Sequence, residues 1–238
     1  MKLDILAFGA HPDDVELGCG GTLAKLSAEG KKIGVIDLTQ GELGTRGTPQ
    51  LRLQEAKKAV EILGIQLREN LGFSDGFFLN DETHQLQLIE KIRQYQPEIV
   101  ICNAIDDRHT DHPKGSKLVS DACFLSGLKK IETQFEGKNQ PAWRPKMVFH
   151  YIQWKNIEPH FVVDISDYLD TKLKACLAYS SQFYDPNSNE PETPISSKNF
   201  LESIEYRAKD LGRIIGKKAA EGFTTERYLG LENFDGLI

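Results

Sequence analysis

A histidine and two carboxylates fall together in His11-Pro12-Asp13-Asp14, and two more histidines flank a carboxylate in His109-Thr110-Asp111-His112. Imidazole nitrogens and carboxylate oxygens are the donors a catalytic zinc takes, and His11, Asp14 and His112 with one open position form such a set. Iron(II) suits the same ligands. Asp13, beside a ligand but aimed elsewhere by the turn, is the natural general base for a water. His109, three residues before His112, reaches the same pocket if the loop turns helically, and in its protonated form would stabilise an oxyanion. Asp111 can orient either imidazole from behind. A third nitrogen on the metal is the other use for His109. Each segment alone also has a plainer reading: Asp13 and Asp14 as helix caps, the histidines as loop residues facing water.

These residues act together only if the fold brings them to one place, and the flanking patterns predict that it does. Apolar runs at Leu3 to Phe8 and Ile99 to Cys102 read as buried strands that end just before the two segments. In an open parallel sheet the C-terminal ends of the strands share one edge. Helical spacing follows over 15–30, over 53–63 with Gly64 closing, over 81–95 and over 113–128. Strands are expected at 32–39, more weakly at 66–71, and at 147–151 and 161–165. Ser166 is expected to cap a helix carrying Leu169, Leu173 and Cys176, and a last long helix carries Leu201, Ile204, Ala208 and Leu211. Residues 133–146 read as a surface excursion, and 185–194 as a breaker-rich rim. The alternation predicts an α/β, Rossmann-like fold, a mostly parallel sheet with helices on both faces, in a single domain over 1–238. Gly18, Gly20 and Gly21 resemble a phosphate cradle, but Leu23 stands where a dinucleotide fingerprint needs Gly or Ala, and the acidic turn would repel phosphate. They are expected to pack a helix closely on the sheet.

Composition narrows the class. The 238 residues carry a formal net charge of -6, with no basic stripe, which argues against a nucleic-acid partner. No apolar run approaches the roughly 20 residues of a membrane span, so no membrane partner is expected. Scattered Cys19, Cys102, Cys123 and Cys176 suit reduced core thiols and a cytoplasmic location.

Ala10-His11-Pro12-Asp13-Asp14, then Glu16-Leu17-Gly18, together with His109-Thr110-Asp111-His112, resemble the LmbE-like (PIG-L type) zinc-dependent N-deacetylases. The segments Leu38 to Glu42, Gly44 to Thr48, Arg52 to Ala56, Ser181 to Phe183 and Ala220 to Phe223 resemble the branch that deacetylates N-acetylglucosaminyl malate in bacillithiol biosynthesis. The resemblance implies a Rossmann-like fold and hydrolysis of the acetamide of a small-molecule GlcNAc conjugate. It also implies zinc on His11, Asp14 and His112, Asp13 as base, His109 beside the oxyanion, Arg52 on substrate, and a homo-oligomer. Arg52 and Arg46 are then expected to hold the malate carboxylates. Some relatives place a tyrosine near Phe200; a phenylalanine cannot donate that hydrogen bond, which leaves His109, the metal or Tyr184. The alternatives are another GlcNAc substrate such as a chitooligosaccharide, or a non-catalytic zinc protein, against which a free Asp13 beside the ligands argues.

Overall fold

The computed structural model describes residues 1–235. Strands β1 (Ile5–Gly9) and β2 (Ile33–Thr39) are buried along their whole length. That is why they read as continuous apolar runs: both faces of the sheet are covered. β3 (Leu67–Phe73), β4 (Ile99–Cys102), β7 (Met147–Tyr151), β8 (Phe161–Asp164) and β9 (Ala220–Thr225) complete a seven-stranded sheet in the order β3-β2-β1-β4-β7-β9-β8. From β3 to β7 all neighbours are parallel; β9 is antiparallel to both β7 and β8. The intervening β5 (Gln134–Phe135) and β6 (Lys138–Asn139) form a small hairpin within the surface excursion.

Helices α1 (Asp14–Ala28), α2 (Pro49–Leu63), α3 (Glu82–Tyr95), α4 (Asp111–Leu125), α5 (Leu169–Leu177) and α6 (Lys198–Ile214) cover the sheet. Their ends follow local chemistry. Thr48 and Asp81 accept from backbone N–H groups at the starts of α2 and α3, and Gly64 ends α2 in the left-handed region. Alternation along β1 divides the core. Leu6 and Phe8 pack with Leu88, Ile92, Leu118 and Ala122 of α3 and α4, whereas Ile5 and Ala7 pack with Val15, Cys19 and Leu23 of α1.

The chain steps from β1 outward to β2 and β3, then returns to place β4 on the other side of β1. The crevice at such a switch point is where open α/β sheets bind ligands. His11 follows β1 by two residues, and His109 follows β4 by seven. Two expectations differ from the structure. The sequence pattern assigns no element to 220–225, and β9 runs there between β7 and β8. Ser166 does not cap α5: its hydroxyl donates to Asp164 Oδ1 and accepts from the Lys218 N–H, and the helix begins at Leu169.

Gly18 and Gly21 of α1 serve close contact, whereas Gly20 has room for a Cβ. A Cβ on Gly18 would overlap the ring of Tyr151, which is fully buried, and one on Gly21 would overlap Ile165. Gly18→Ala is therefore expected to destabilise the fold by about 1–3 kcal/mol, the usual cost of overpacking a core. Denaturant unfolding checks this, and unchanged stability would mean that α1 shifts freely on β7.

Candidate metal centre and catalytic pocket

Loops from the C-terminal ends of five parallel strands meet around one cavity of about 740 Å³. His11, Asp13 and Asp14 enter from β1, Arg52 from α2 after β2, and Asp75 from β3. Asp107, His109 and His112 enter from β4, and Gln153 from β7; all line it.

Asp14 is the centre of the arrangement. His11 Nδ1 lies 3.5 Å from Asp14 Oδ2, and His112 Nε2 lies 3.1 Å from Asp14 Oδ1. The far nitrogens of both rings face carboxylates: His11 Nε2 is 3.0 Å from Asp75 Oδ1 and 3.5 Å from Asp111 Oδ2, and His112 Nδ1 is 2.5 Å from Asp107 Oδ2. Those carboxylates favour N–H at the far positions, leaving the lone pairs of His11 Nδ1 and His112 Nε2 directed at Asp14. Asp14 is held in turn: Oδ2 accepts from the His11 N–H and Asn103 Nδ2, and Oδ1 accepts from Gln153 Nε2 at 2.8 Å. The Ala104 N–H donates to Gln153 Oε1, which settles the orientation of that amide.

The electrostatics suit a cation. Burial opposes a charged His11, yet hydrogen bonds to Asp111, Asp14 and Asp75 hold its pKa well above the ordinary value. Burial likewise opposes a charged His112, but Asp14 and Asp107 lift it to about 9. Burial pushes the Asp14 carboxyl upward, and His112 and His11 outweigh it and hold the carboxyl well below the usual range. Two nitrogens and an oxygen, backed by further carboxylates, fit a divalent metal of the zinc type. Protons compete for the same nitrogens, so metal affinity should tighten as pH rises toward about 9. Zinc titrations at about pH 6 and 8 check the sign; equal affinities would contradict it.

Asp13 stands apart from the ligand set. It is buried and adopts φ 115°, a left-handed conformation that a non-glycine residue holds only when its surroundings enforce it. Arg52 supplies that enforcement. Its Nη2 lies 3.1 Å from Asp13 Oδ2 and reaches the Pro12 carbonyl, while Nη1 donates to the Gly41 carbonyl. Gly41 has φ 66°, and any Cβ there would collide with the guanidinium. Asp13 Oδ1 makes no hydrogen bond among the described residues. Burial raises the Asp13 carboxyl to about 7, with Arg52 pulling it down and Asp14 pushing it up.

His109 packs edge-on against His11, ring centroids 4.6 Å apart, and stacks on His112 at 5.0 Å. Its Nδ1 accepts from the Asp111 N–H, and burial followed by the charges of His11 and His112 lowers its pKa. That direction disfavours the protonated His109 expected from the sequence, and with Nδ1 accepting, the proton of a neutral ring belongs on Nε2. Its nitrogen also lies close enough to those of His11 and His112 to share a cation with them.

The arginines are placed differently from expectation. Arg46 does not line the cavity. It is buried, donates to the Phe183 carbonyl and Ser188 Oγ, and lies 3.7 Å from Glu190, so it ties the Gly-rich loop to the 185–194 rim. Arg52 lines the cavity, but its Nη groups are engaged by Asp13 and the turn rather than held open for substrate carboxylates. Asp111 stands behind His11, its oxygens also held by Lys114 and the Gly76 N–H. Phe200 lines the cavity and Tyr184 does not. No sequence pattern singles out Asp75, Asp107, Asn103 or Gln153. The available signal was position: each lies within five residues after the C-terminal end of a strand.

A Rossmann-like sheet with this crevice of histidines and carboxylates defines an α/β protein with a candidate metal site at the switch point of its sheet. Residues 6–123 match the family model PIG-L, described as GlcNAc-PI de-N-acetylase, and the chain belongs to that family. The conserved protein TT1542 from Thermus thermophilus is 36% identical, with a TM-score of 0.85 over 97% of this chain and 98% of that one. Diacetylchitobiose deacetylase of Thermococcus kodakarensis is 29% identical over 75% of this chain and 70% of that protein. Probable N-acetyl-alpha-D-glucosaminyl L-malate deacetylase 2 of Bacillus anthracis is 26% identical over 75% and 81%. A 4-oxalmesaconate hydratase of Pseudomonas putida is 25% identical over 76% and 75%. No helix among the described residues is long and apolar enough to cross a membrane.

Proposed function

We propose that the protein is a metal-dependent N-deacetylase that hydrolyses the acetamide of an N-acetylglucosamine conjugate to the free amine and acetate, with the malate conjugate of bacillithiol biosynthesis as its physiological substrate. The observation that carries the hydrolytic reading is Asp13, a buried carboxylate with one oxygen unbonded among the described residues and a pKa lifted to about 7, placed beside the His11, Asp14 and His112 donor set. A site that only bound metal would have no use for it.

His11 Nδ1, Asp14 and His112 Nε2 would hold zinc or iron(II), with Asp75 and Asp107 fixing the imidazoles. A bound divalent metal polarises the acetamide carbonyl and lowers the pKa of water to about 7. Asp13 Oδ1 takes the proton of the attacking water, while Arg52 holds Oδ2 and keeps the carboxylate from rotating. The same protonated Asp13 then gives the proton to the leaving amine. His109 Nε2–H donates to the carbonyl oxygen as negative charge develops there, and it does so as a neutral imidazole. His109→Ala should lower kcat by roughly 10²-fold, the usual cost of an oxyanion donor, with metal content retained and the alkaline limb of the rate profile unmoved. Loss of metal in that variant would make His109 a ligand instead.

Asp107→Ala tests the support behind His112. Removing such a carboxylate typically costs about 10–100-fold in metal affinity. Competition with a chelating dye measures it, and unchanged affinity would leave Asp107 outside the centre. The function itself is tested by amine release from the malate conjugate and from diacetylchitobiose, against hydration of an unsaturated dicarboxylate as the contrary activity. Hydration without amine release would overturn it.

A further inference from the structure

One wall of the cavity is built by α6. Asn199, Phe200, Ser203, Ile204, Arg207 and Leu211 recur at helical spacing along its cavity face. Every other charged residue of that helix has an ion partner: Lys198 with Glu202, Lys209 with Glu205, Arg213 with Asp210. Arg207 has none among the described residues. It is anchored by one nitrogen, Nη2, which donates to the Trp154 carbonyl at 2.8 Å and to Asn156 Oδ1 at 3.1 Å. Its Nε and Nη1 make no hydrogen bond with the described residues. The anchor matters for aim, because Trp154 directly follows Gln153, whose amide holds Asp14.

A second guanidinium stands alongside. Arg108 lies over the Trp154 ring at 4.5 Å, Trp154 stacks on Phe200 at 5.3 Å, and Phe200 stacks on Phe183 at 6.2 Å. Arg108 also has no ion partner among the described residues and lines the cavity. The other cations are spent: Arg52 on Asp13, Arg46 on the rim, and Lys172 on Glu221. The cavity lining thus combines the carboxylates of Asp13, Asp14, Asp75 and Asp107 with two guanidinium groups that have no ion partner among the described residues, held on a stacked aromatic support, with Arg207 near enough to Asp107 to feel its charge.

Building on the deacetylase reading, we propose that Arg207, assisted by Arg108, determines specificity by receiving an anionic group at the end of the substrate away from the acetamide. The substrate class is then an acetamido sugar whose aglycone bears a carboxylate or a phosphate. The two guanidinium forks accept such a group bidentately, and holding it there leaves the acetamide end of the molecule for the metal ligands that line the same cavity.

The test compares metal-loaded wild type, Arg207→Gln and Arg207→Lys on three substrates: diacetylchitobiose, N-acetylglucosaminyl malate and N-acetylglucosamine 1-phosphate. Arg207→Gln should lower kcat/KM on an acidic substrate by at least about tenfold, mainly through KM, and change the neutral one by less than about twofold. Arg207→Lys should recover part of the loss. A greater loss on the malate conjugate identifies a carboxylate, and a greater loss on the 1-phosphate identifies a phosphate. Equal losses on all three, or none on any, overturn the proposal and leave Arg207 as a brace for Trp154. Should wild type release no amine from any of them, the deacetylase reading fails and calorimetry with L-malate and inorganic phosphate decides the inference. Binding that weakens in Arg207→Gln upholds it; binding that is absent, or equal in both proteins, overturns it.

Discussion

His112→Ala should cost the protein its metal and reduce amine release to background while leaving the fold intact. His112 Nε2 is one of the donors facing Asp14, and its Nδ1 is the partner of Asp107. Without the ring, His11 and Asp14 remain as the proposed ligands, below the three protein ligands that a catalytic zinc keeps. The fold should persist because His112 lies in the first turn of α4, at the crevice. That helix is secured further along by Leu118, Val119 and Ala122, all fully buried. The loss is therefore expected in metal analysis after dialysis and in activity, with the circular dichroism spectrum unchanged. Full metal occupancy in the variant would exclude His112 as a ligand.

Asp13→Asn should show the opposite pattern: metal retained, kcat lowered by at least about 10²-fold, the usual contribution of a positioned general base. Asparagine preserves the shape of the side chain and can still accept from Arg52, but it cannot take a proton from water. The pH dependence carries the sign. The base works ionised, so activity rises as pH passes upward through its pKa, which burial raises to about 7 and which a bound cation would draw lower. Arg52 lowers that pKa, so Arg52→Gln should move the acidic limb to higher pH. A limb that stays in place would remove Arg52 from the Asp13 environment, and an active Asp13→Asn would assign the proton transfer elsewhere.

The first steps to the site were legible because type and spacing coincide with strand ends. His11 to Asp14 follows a fully apolar run, and His109 to His112 lies soon after another, so periodicity alone implied a shared edge. The parallel order around β1 was legible for the same reason. β9 was not: Ala220 to Thr225 is short, contains Glu and Gly, and is buried only because β7 and β8 flank it. Asp75, Asp107, Asn103 and Gln153 are single residues on separate loops, and no pattern links them until the sheet assembles. Arg46 and Arg52 show a different limit. Sequence places a cation near a site, but whether its donors face a ligand or are used by a neighbouring carboxylate or carbonyl depends on packing. The same packing leaves Arg207, with no local motif around it, lining the cavity without an ion partner among the described residues.

Metal-dependent release of an amine is the central expectation for this protein, and one measurement tests it directly. Free amine and acetate are quantified together as the purified protein turns over N-acetylglucosaminyl malate and diacetylchitobiose, before chelation, after chelation, and after zinc is restored. The predicted result is amine and acetate in equal amounts from at least one of them, abolished by chelation and recovered with zinc. Turnover that survives complete removal of metal, or a fully zinc-loaded protein that releases no amine from either substrate, would contradict the account.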